Sequence, residues 1–208
     1  MPAPVPRPFP SGLRPVTLDE GERIVRVHRT SNGPIWFGPA PGVLPANRFD
    51  APAGEYRTLY AAHRLTGGFV ETILRKNRRI LTRAFVEQFQ WTVLRVERPL
   101  TLAKLYDEGL AWHGTTNDIC AGDNYAEPRA LARDLYLSFP DLDGIAYRAR
   151  HNNGEICFAL FDRVAPSDLV PVDTRLFGHE RRRTRKLVAD HGGVWDKSPP
   201  LIDPPAAP

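Results

Sequence analysis

The chain has 208 residues, the length of one domain or of one domain with extensions. Hydrophobic residues make up 42% and charged residues 25%, so the chain can bury a core and is not compositionally disordered. The balance of 28 basic against 24 acidic residues (net +4) does not by itself call for nucleic acid, and the two cysteines, Cys120 and Cys157, exclude a disulfide framework. No apolar run approaches the roughly 18 residues of a membrane span.

Residues 1–15 carry six prolines and read as an extended, polyproline-like arm. Residues 196–208, DKSPPLIDPPAAP, read as a second Pro-rich tail, which leaves 16–195 as a single domain. The N-terminus has no apolar h-region, so a soluble cytoplasmic protein with reduced thiols is expected. Glu22–Arg29 is β-branched and alternating, the pattern of a strand. Residues 31–56 are rich in Gly, Pro and Asn and form a long loop of the kind that is usually functional or mobile. Arg57–Ala62 is a short strand, and Thr66–Asn77 a helix with Thr66 as its N-cap. Gln90–Glu97 and Leu100–Leu105 are strands flanking Pro99. Pro128–Phe139 is a helix with Leu131, Leu135 and Phe139 on one stripe. Asp143–Ala149 and Glu155–Asp162 are strands joined by a turn at 152–154, and Leu176–Asp190 is a basic helix stopped by Gly192-Gly193. Strands and helices are interspersed irregularly, which predicts an α+β fold rather than a doubly wound sheet.

Three separated residues supply the chemistry needed to hold a charged dinucleotide and open its N-glycosidic bond. Arg29 closes a strand, and a guanidinium binds phosphate bidentately. Tyr60 offers a ring to stack on nicotinamide. Glu71 offers a carboxylate to the positive charge that develops on the ribose. Taken singly, each has an ordinary structural reading: a strand-end arginine on a surface carboxylate, a packed strand tyrosine, a helix-start glutamate. Arg48 is a candidate second phosphate clamp, and pairing with Asp50 or Glu55 accounts for it equally well.

Several short patches in one order resemble the RES-domain family, the toxin halves of RES–Xre toxin–antitoxin pairs, from about Arg23 to Asp162. They are VHRT with Arg29, NRFD with Arg48 and Phe49, LYAA with Tyr60, TGGFVETI with Glu71, and DGIAYRARH at 143–151. The resemblance implies a compact ADP-ribosyltransferase-like fold, a mixed sheet core with flanking helices. It implies an enzyme that takes NAD as substrate, needs no other cofactor, and cleaves the nicotinamide–ribose bond by hydrolysis or phosphorolysis. An Xre-like antitoxin is the implied partner, with no direct contact to nucleic acid. Carried over by position, Arg29 would contact the NAD phosphates, Tyr60 would pack on the nicotinamide end and Glu71 would act beside the ribose. Tyr147 and Arg148, in the last patch, join them as candidate NAD-binding residues. Where the family pattern has serine, this chain has Ala149, which has no side-chain donor or acceptor; Arg148, Arg150, His151 and Asn152 are the neighbouring substitutes.

Two other readings stand beside this one. The acceptor of ADP-ribose could be a protein, or Ala149 could mark a non-catalytic binding module. The run Arg181-Arg182-Arg183-Thr184-Arg185-Lys186 lacks interleaved aromatics and reads first as a solvated helix face. His113, Cys120, Asp123 and His151 lack metal-ligand spacing, so no metal is expected. Neither GxGxxG, Walker nor GxSxG sequences occur. No motif encodes the oligomeric state, and a homo-oligomer is compatible with the chain.

Overall fold

β-branched and aromatic runs are interspersed with short amphipathic segments along the chain, and they fold into one large mixed sheet with helices packed on it. The computed structural model describes residues 5–75 and 78–196. In chain order its elements are β1 (Pro15–Leu18), β2 (Arg23–Arg29), β3 (Thr58–Ala62), α1 (Leu65–Thr72), β4 (Ile80–Leu81) and α2 (Arg83–Val86). There follow β5 (Phe89–Val96), β6 (Leu100–Leu105), α3 (Glu108–Trp112), α4 (Asp118–Ala121) and α5 (Ala126–Ser138). The last are β7 (Gly144–Ala149), β8 (Asn152–Phe161), β9 (Leu169–Leu176), α6 (Arg181–Asp190) and β10 (Val194–Trp195). The architecture is α+β, as expected. Among the described residues the main sheet has eight strands in the order β1-β6-β7-β8-β3-β2-β5-β9, and β10 pairs with β4 in a separate ribbon.

Connection length dictates the shape of this sheet. β5 and β6 are separated by four other strands in the sheet order, yet only Glu97–Pro99 joins them. Four Cα steps reach about 14 Å. Five strand spacings in a flat sheet would need about 24 Å. The sheet must therefore curl, and Arg98 ties the junction: it donates to both carboxylate oxygens of Asp143, at 3.0 and 2.7 Å, and to Asp168 at 3.0 Å.

The two faces of the sheet hold separate apolar clusters. Ile145, Tyr147, Cys157 and Phe161 face α1, α5 and α6, against Phe69, Leu131, Leu135 and Val188. Ile24, Leu59, Leu94, Leu102 and Leu160 form the other cluster, to which the sheet's two edge strands both contribute, through Leu18 and Leu169. Period-two alternation thus assigns each strand residue to one face.

Four expectations need correction. Thr66 is not the N-cap of α1: Arg64 occupies that position and makes no side-chain cap bond, because a guanidinium has no acceptor for a first-turn N–H; it donates instead to Glu155 and the Gly154 carbonyl. The helix ends at Thr72, and Lys76 and Asn77 of the expected span lie outside the described residues. The β7–β8 turn is Arg150-His151, not 152–154: the Glu71 carboxylate holds the Arg150 N–H at 2.8 Å, and Asn152 already pairs with Ala149. The basic helix starts at Arg181 rather than Leu176, because Leu176 closes β9, an edge strand where Pro171 removes no essential ladder bond.

The arm is not free of the domain. Phe9 packs at 5.4 Å on Phe139, and Arg7 pairs with Asp134 at 3.2 Å. The second Pro-rich tail, beyond Asp196, lies outside the described residues. On α6, Thr184, Leu187 and Val188 are buried while Arg183 stacks over Trp91 and Lys186 pairs with Asp190. Among the described residues no helix is long and apolar enough to cross a membrane.

Gly144 sits where β6, β7 and β8 are laced together, and a Cβ there would come 2.4 Å from the Ala159 carbonyl oxygen. Gly144→Ala is expected to destabilise the fold by about 1–3 kcal/mol, read as a lower urea midpoint. An unchanged midpoint would show that the strands do not approach this closely.

Candidate active site

β2 and β3 share a single register pair, Val25↔Ala62, although β2 pairs with β5 along its whole length and β3 with β8 along its own. Past that pair the two strands part. The gap lies between Val27 and Arg29 on one side and Tyr60 and Thr58 on the other, and the long loop 30–57 joins its two open ends. A cleft of about 340 Å³ opens there. Arg29, Arg48, Tyr60, Glu71 and Tyr147 all line it. Arg148 does not. It follows Tyr147 on a strand, so it points to the opposite face, where it donates to the Asn153 carbonyl at 2.6 Å and to Asp107 at 3.0 Å.

Local structure explains how each group gets there. Arg29 ends β2, stacks over Phe89 at 5.1 Å and donates to the Gln88 side chain at 2.7 Å, a neutral partner that leaves its charge uncompensated. Gly67 and Gly68 let α1 press on the sheet: a Cβ on Gly68 would sit 3.0 Å from Val27. That close approach carries Glu71, one turn later, to the cleft.

Tyr60 is locked rather than mobile. Its hydroxyl donates to Asp50 at 2.9 Å and accepts the Phe49 N–H at 3.0 Å. Burial first, and then the adjoining Asp50 carboxylate, push the phenol well above its ordinary pKa. Tyr60 therefore stays protonated and serves as a wall, not as a proton carrier. Asp50 is fully buried and also accepts the N–H groups of Ala46 and Asn47, at 2.9 and 2.7 Å. The same stretch of loop is strapped from outside. Arg75 donates to the Asn47 side chain and the Ala46 carbonyl, and Arg129 to the carbonyls of Asn47 and Pro45.

Arg48 is buried, at 8% exposure, and pairs with neither Asp50 nor Glu55: it donates to the Ile119 carbonyl at 3.3 Å and stacks over Tyr125 at 4.6 Å. Glu71 has its pKa raised, chiefly by burial, with the Arg150 N–H and the charges of Arg48, Arg75 and Arg150 opposing the rise. His151 also lines the cleft; burial and then Arg150, Arg79 and Arg48 lower its pKa, so it is neutral near pH 7. Ala149 is fully buried in the core beside this wall. The stretch where the family pattern has serine offers the cleft Arg150 and His151 instead of a hydroxyl.

Arg75 and Tyr125 line the cleft without having been singled out by sequence. Arg75 follows Glu71 by four residues, a spacing that could have pointed to it; nothing local marks Tyr125. Cys157 lines the cleft, and Cys120 lies nearby in the core; both are free, buried thiols whose pKa values burial raises, Cys120 to about 12. Among the described residues no group of three or more His, Cys, Asp or Glu is placed to hold a metal.

The raised pKa of Glu71 has a consequence for stability. Folding favours its protonated form, so its contribution is fully present below the ordinary glutamate pKa and is lost as pH rises through the raised value. A glutamine at this position would be neutral throughout and could still accept the Arg150 N–H. The stability of Glu71→Gln relative to the parent is therefore expected to improve from about pH 4 to about pH 7 in parallel urea titrations. A difference that stays constant or shrinks would contradict the burial of this charge.

No curated protein matches the chain. Among solved structures, the toxin MbcT in the crystal structure of the M. tuberculosis MbcT–MbcA toxin–antitoxin complex is similar in fold, with a TM-score of 0.62 at 16% identity, covering 82% of this chain and 92% of that one. The RES domain family model matches residues 23–181, from the first residue of β2 to the start of α6, and so spans both walls of the cleft. The chain belongs to the RES domain family.

Proposed function

We propose that the protein is a toxin-type enzyme that cleaves the nicotinamide–ribose bond of NAD, held in check by an antitoxin of the Xre kind. The observation that carries this reading is one cleft lined jointly by Arg29, Arg48, Tyr60 and Glu71. Membership of the RES family and the fold shared with a toxin from a toxin–antitoxin complex support it.

The chemistry asks little of the protein beyond position and charge. Nicotinamide leaves as a neutral molecule, taking the electron pair of the C–N bond, and the ribose becomes oxocarbenium-like. Water or inorganic phosphate then attacks the anomeric carbon, and water gives up its proton to solvent. Arg29 and Arg48 suit the pyrophosphate. Tyr60, fixed by Asp50 and the Phe49 N–H, gives the nicotinamide a rigid face. Glu71, ionised, stabilises the ribose cation. The inner cleft is too small for a whole dinucleotide, but it adjoins an outer chamber of about 770 Å³ lined by Arg29, Arg75, Arg78, Phe85 and Phe89. That chamber has room for the adenosine half and a surplus of positive charge for phosphates.

Purified protein incubated with NAD, with and without inorganic phosphate, is expected to release nicotinamide, and mass spectrometry of the ribosyl product separates hydrolysis from phosphorolysis. Glu71→Ala should lower the rate at least 100-fold, on the order of the loss for one charge-stabilising group, with its circular dichroism unchanged. The acidic limb of the pH–rate profile should lie above the ordinary glutamate pKa, because Glu71 must ionise against burial. A Glu71→Ala protein as active as the parent would overturn the assignment. Labelled NAD that ends on a protein in lysate would favour ADP-ribosyl transfer instead.

A further inference from the structure

The parting of β2 and β3 opens the sheet on both faces, and the second opening holds a buried charge that no step above uses. Arg26 alternates with Val27 on β2 and so points away from the NAD cleft. Only 7% of Arg26 is exposed. Among the described residues its side chain makes one hydrogen bond, to the Trp36 carbonyl at 2.8 Å, and no ion pair. Burial alone lowers its pKa, to about 10, so it remains a cation near pH 7.

A guanidinium has five N–H donors in a planar fork. Among the described residues no sealed side-chain nitrogen or oxygen lacks a partner, so the donors Arg26 does not spend on Trp36 are open to a space. That space is a chamber of about 300 Å³ under the long loop. Its other walls are mostly apolar: Trp36, Pro39, Val43 and Leu44. Asp50 also borders it, but its oxygens are taken by Ala46, Asn47 and Tyr60. Trp36, Val43 and Leu44 are themselves substantially exposed, which leaves an apolar rim at the surface.

We propose that this chamber is a second ligand site, for a small apolar monocarboxylate, with Arg26 as the bidentate partner of the carboxylate. A buried guanidinium without a counter-ion is costly, and a carboxylate of matching geometry compensates it. The apolar rim favours an organic acid with an apolar body over phosphate, which would gain nothing from Trp36 or Leu44. The volume is at the small end of ligand pockets. Because Tyr60 and Asn47 border both this chamber and the NAD cleft, an occupant would bear on the loop that fixes the cleft wall.

The probe is benzoate, titrated into the purified full-length protein by calorimetry, with benzamide and inorganic phosphate as controls. Saturable 1:1 binding of benzoate is expected, at least 10-fold tighter than either control, the size of a charge-assisted bond. Arg26→Gln should lose at least 10-fold in benzoate affinity. Since Arg26 also ties the loop, Val43→Asp provides a second variant: it changes an exposed rim residue, should fold normally, and should weaken benzoate binding by like-charge repulsion. Equal affinity for benzoate and benzamide, or benzoate binding unchanged by both substitutions, would overturn the proposal. So would the absence of saturable benzoate binding in the parent protein. NAD turnover is not the readout, so failure here is distinct from failure of the reading of the cleft.

Discussion

Everything at the cleft depends on β2 and β3 separating after one register pair. A continuous ladder would have buried Val27, Arg29 and Tyr60 against one another. The curled sheet makes the separation possible, since short links such as Glu97–Pro99 hold its ends together and leave the middle to open. The parting exposes strand edges. The long loop covers part of them, with Gly38 bridging to Thr58, and the buried Asp50 carboxylate fixes the loop. One side chain therefore binds Ala46, Asn47 and Tyr60 at once, and in doing so sets the position of the ring that faces the cleft.

The electrostatics follow from the same arrangement. Arginines converge on the cleft from the end of β2, the loop, the residues after α1 and the β7–β8 turn, where Arg150 pairs with Asp123 at 2.7 Å, and among the described residues Glu71 is the one carboxylate that lines the cleft itself. Several of these cations are held by carbonyls, an amide or aromatic faces rather than by carboxylates, so their charge stays available to an anionic substrate. Glu71 is held between opposing effects, burial raising its pKa and the Arg150 N–H and neighbouring arginines lowering it. A carboxylate that is buried yet surrounded by positive charge suits a transition state that is cationic at the ribose and anionic at the pyrophosphate.

Much of this was legible in the sequence. Alternating runs marked β2, β3, β5, β6 and β7, and the stripe of α5 was plain. Arg29, Arg48, Tyr60, Glu71 and Tyr147 could be named because the order of short patches carries family information that periodicity does not. What escaped was non-local. β9 carries Pro171 within its run, which hides the strand until the edge of the sheet gives that proline a tolerable place. The turn at Arg150 depends on a hydrogen bond to Glu71, 79 residues away. Arg148 is adjacent to Tyr147 in the same patch, but strand geometry sends neighbours to opposite faces. Arg26, three residues from Arg29, carries no local sign that it is buried without a counter-ion.

The most direct test is a crystal structure of Glu71→Gln, which keeps the shape of the site while removing the charge, with NAD bound. The pyrophosphate is expected against Arg29 and Arg48, the nicotinamide on the Tyr60 ring, and the introduced amide side chain beside the adjoining ribose. NAD bound elsewhere on the protein, or bound in this cleft with its nicotinamide ribose remote from position 71, would contradict it.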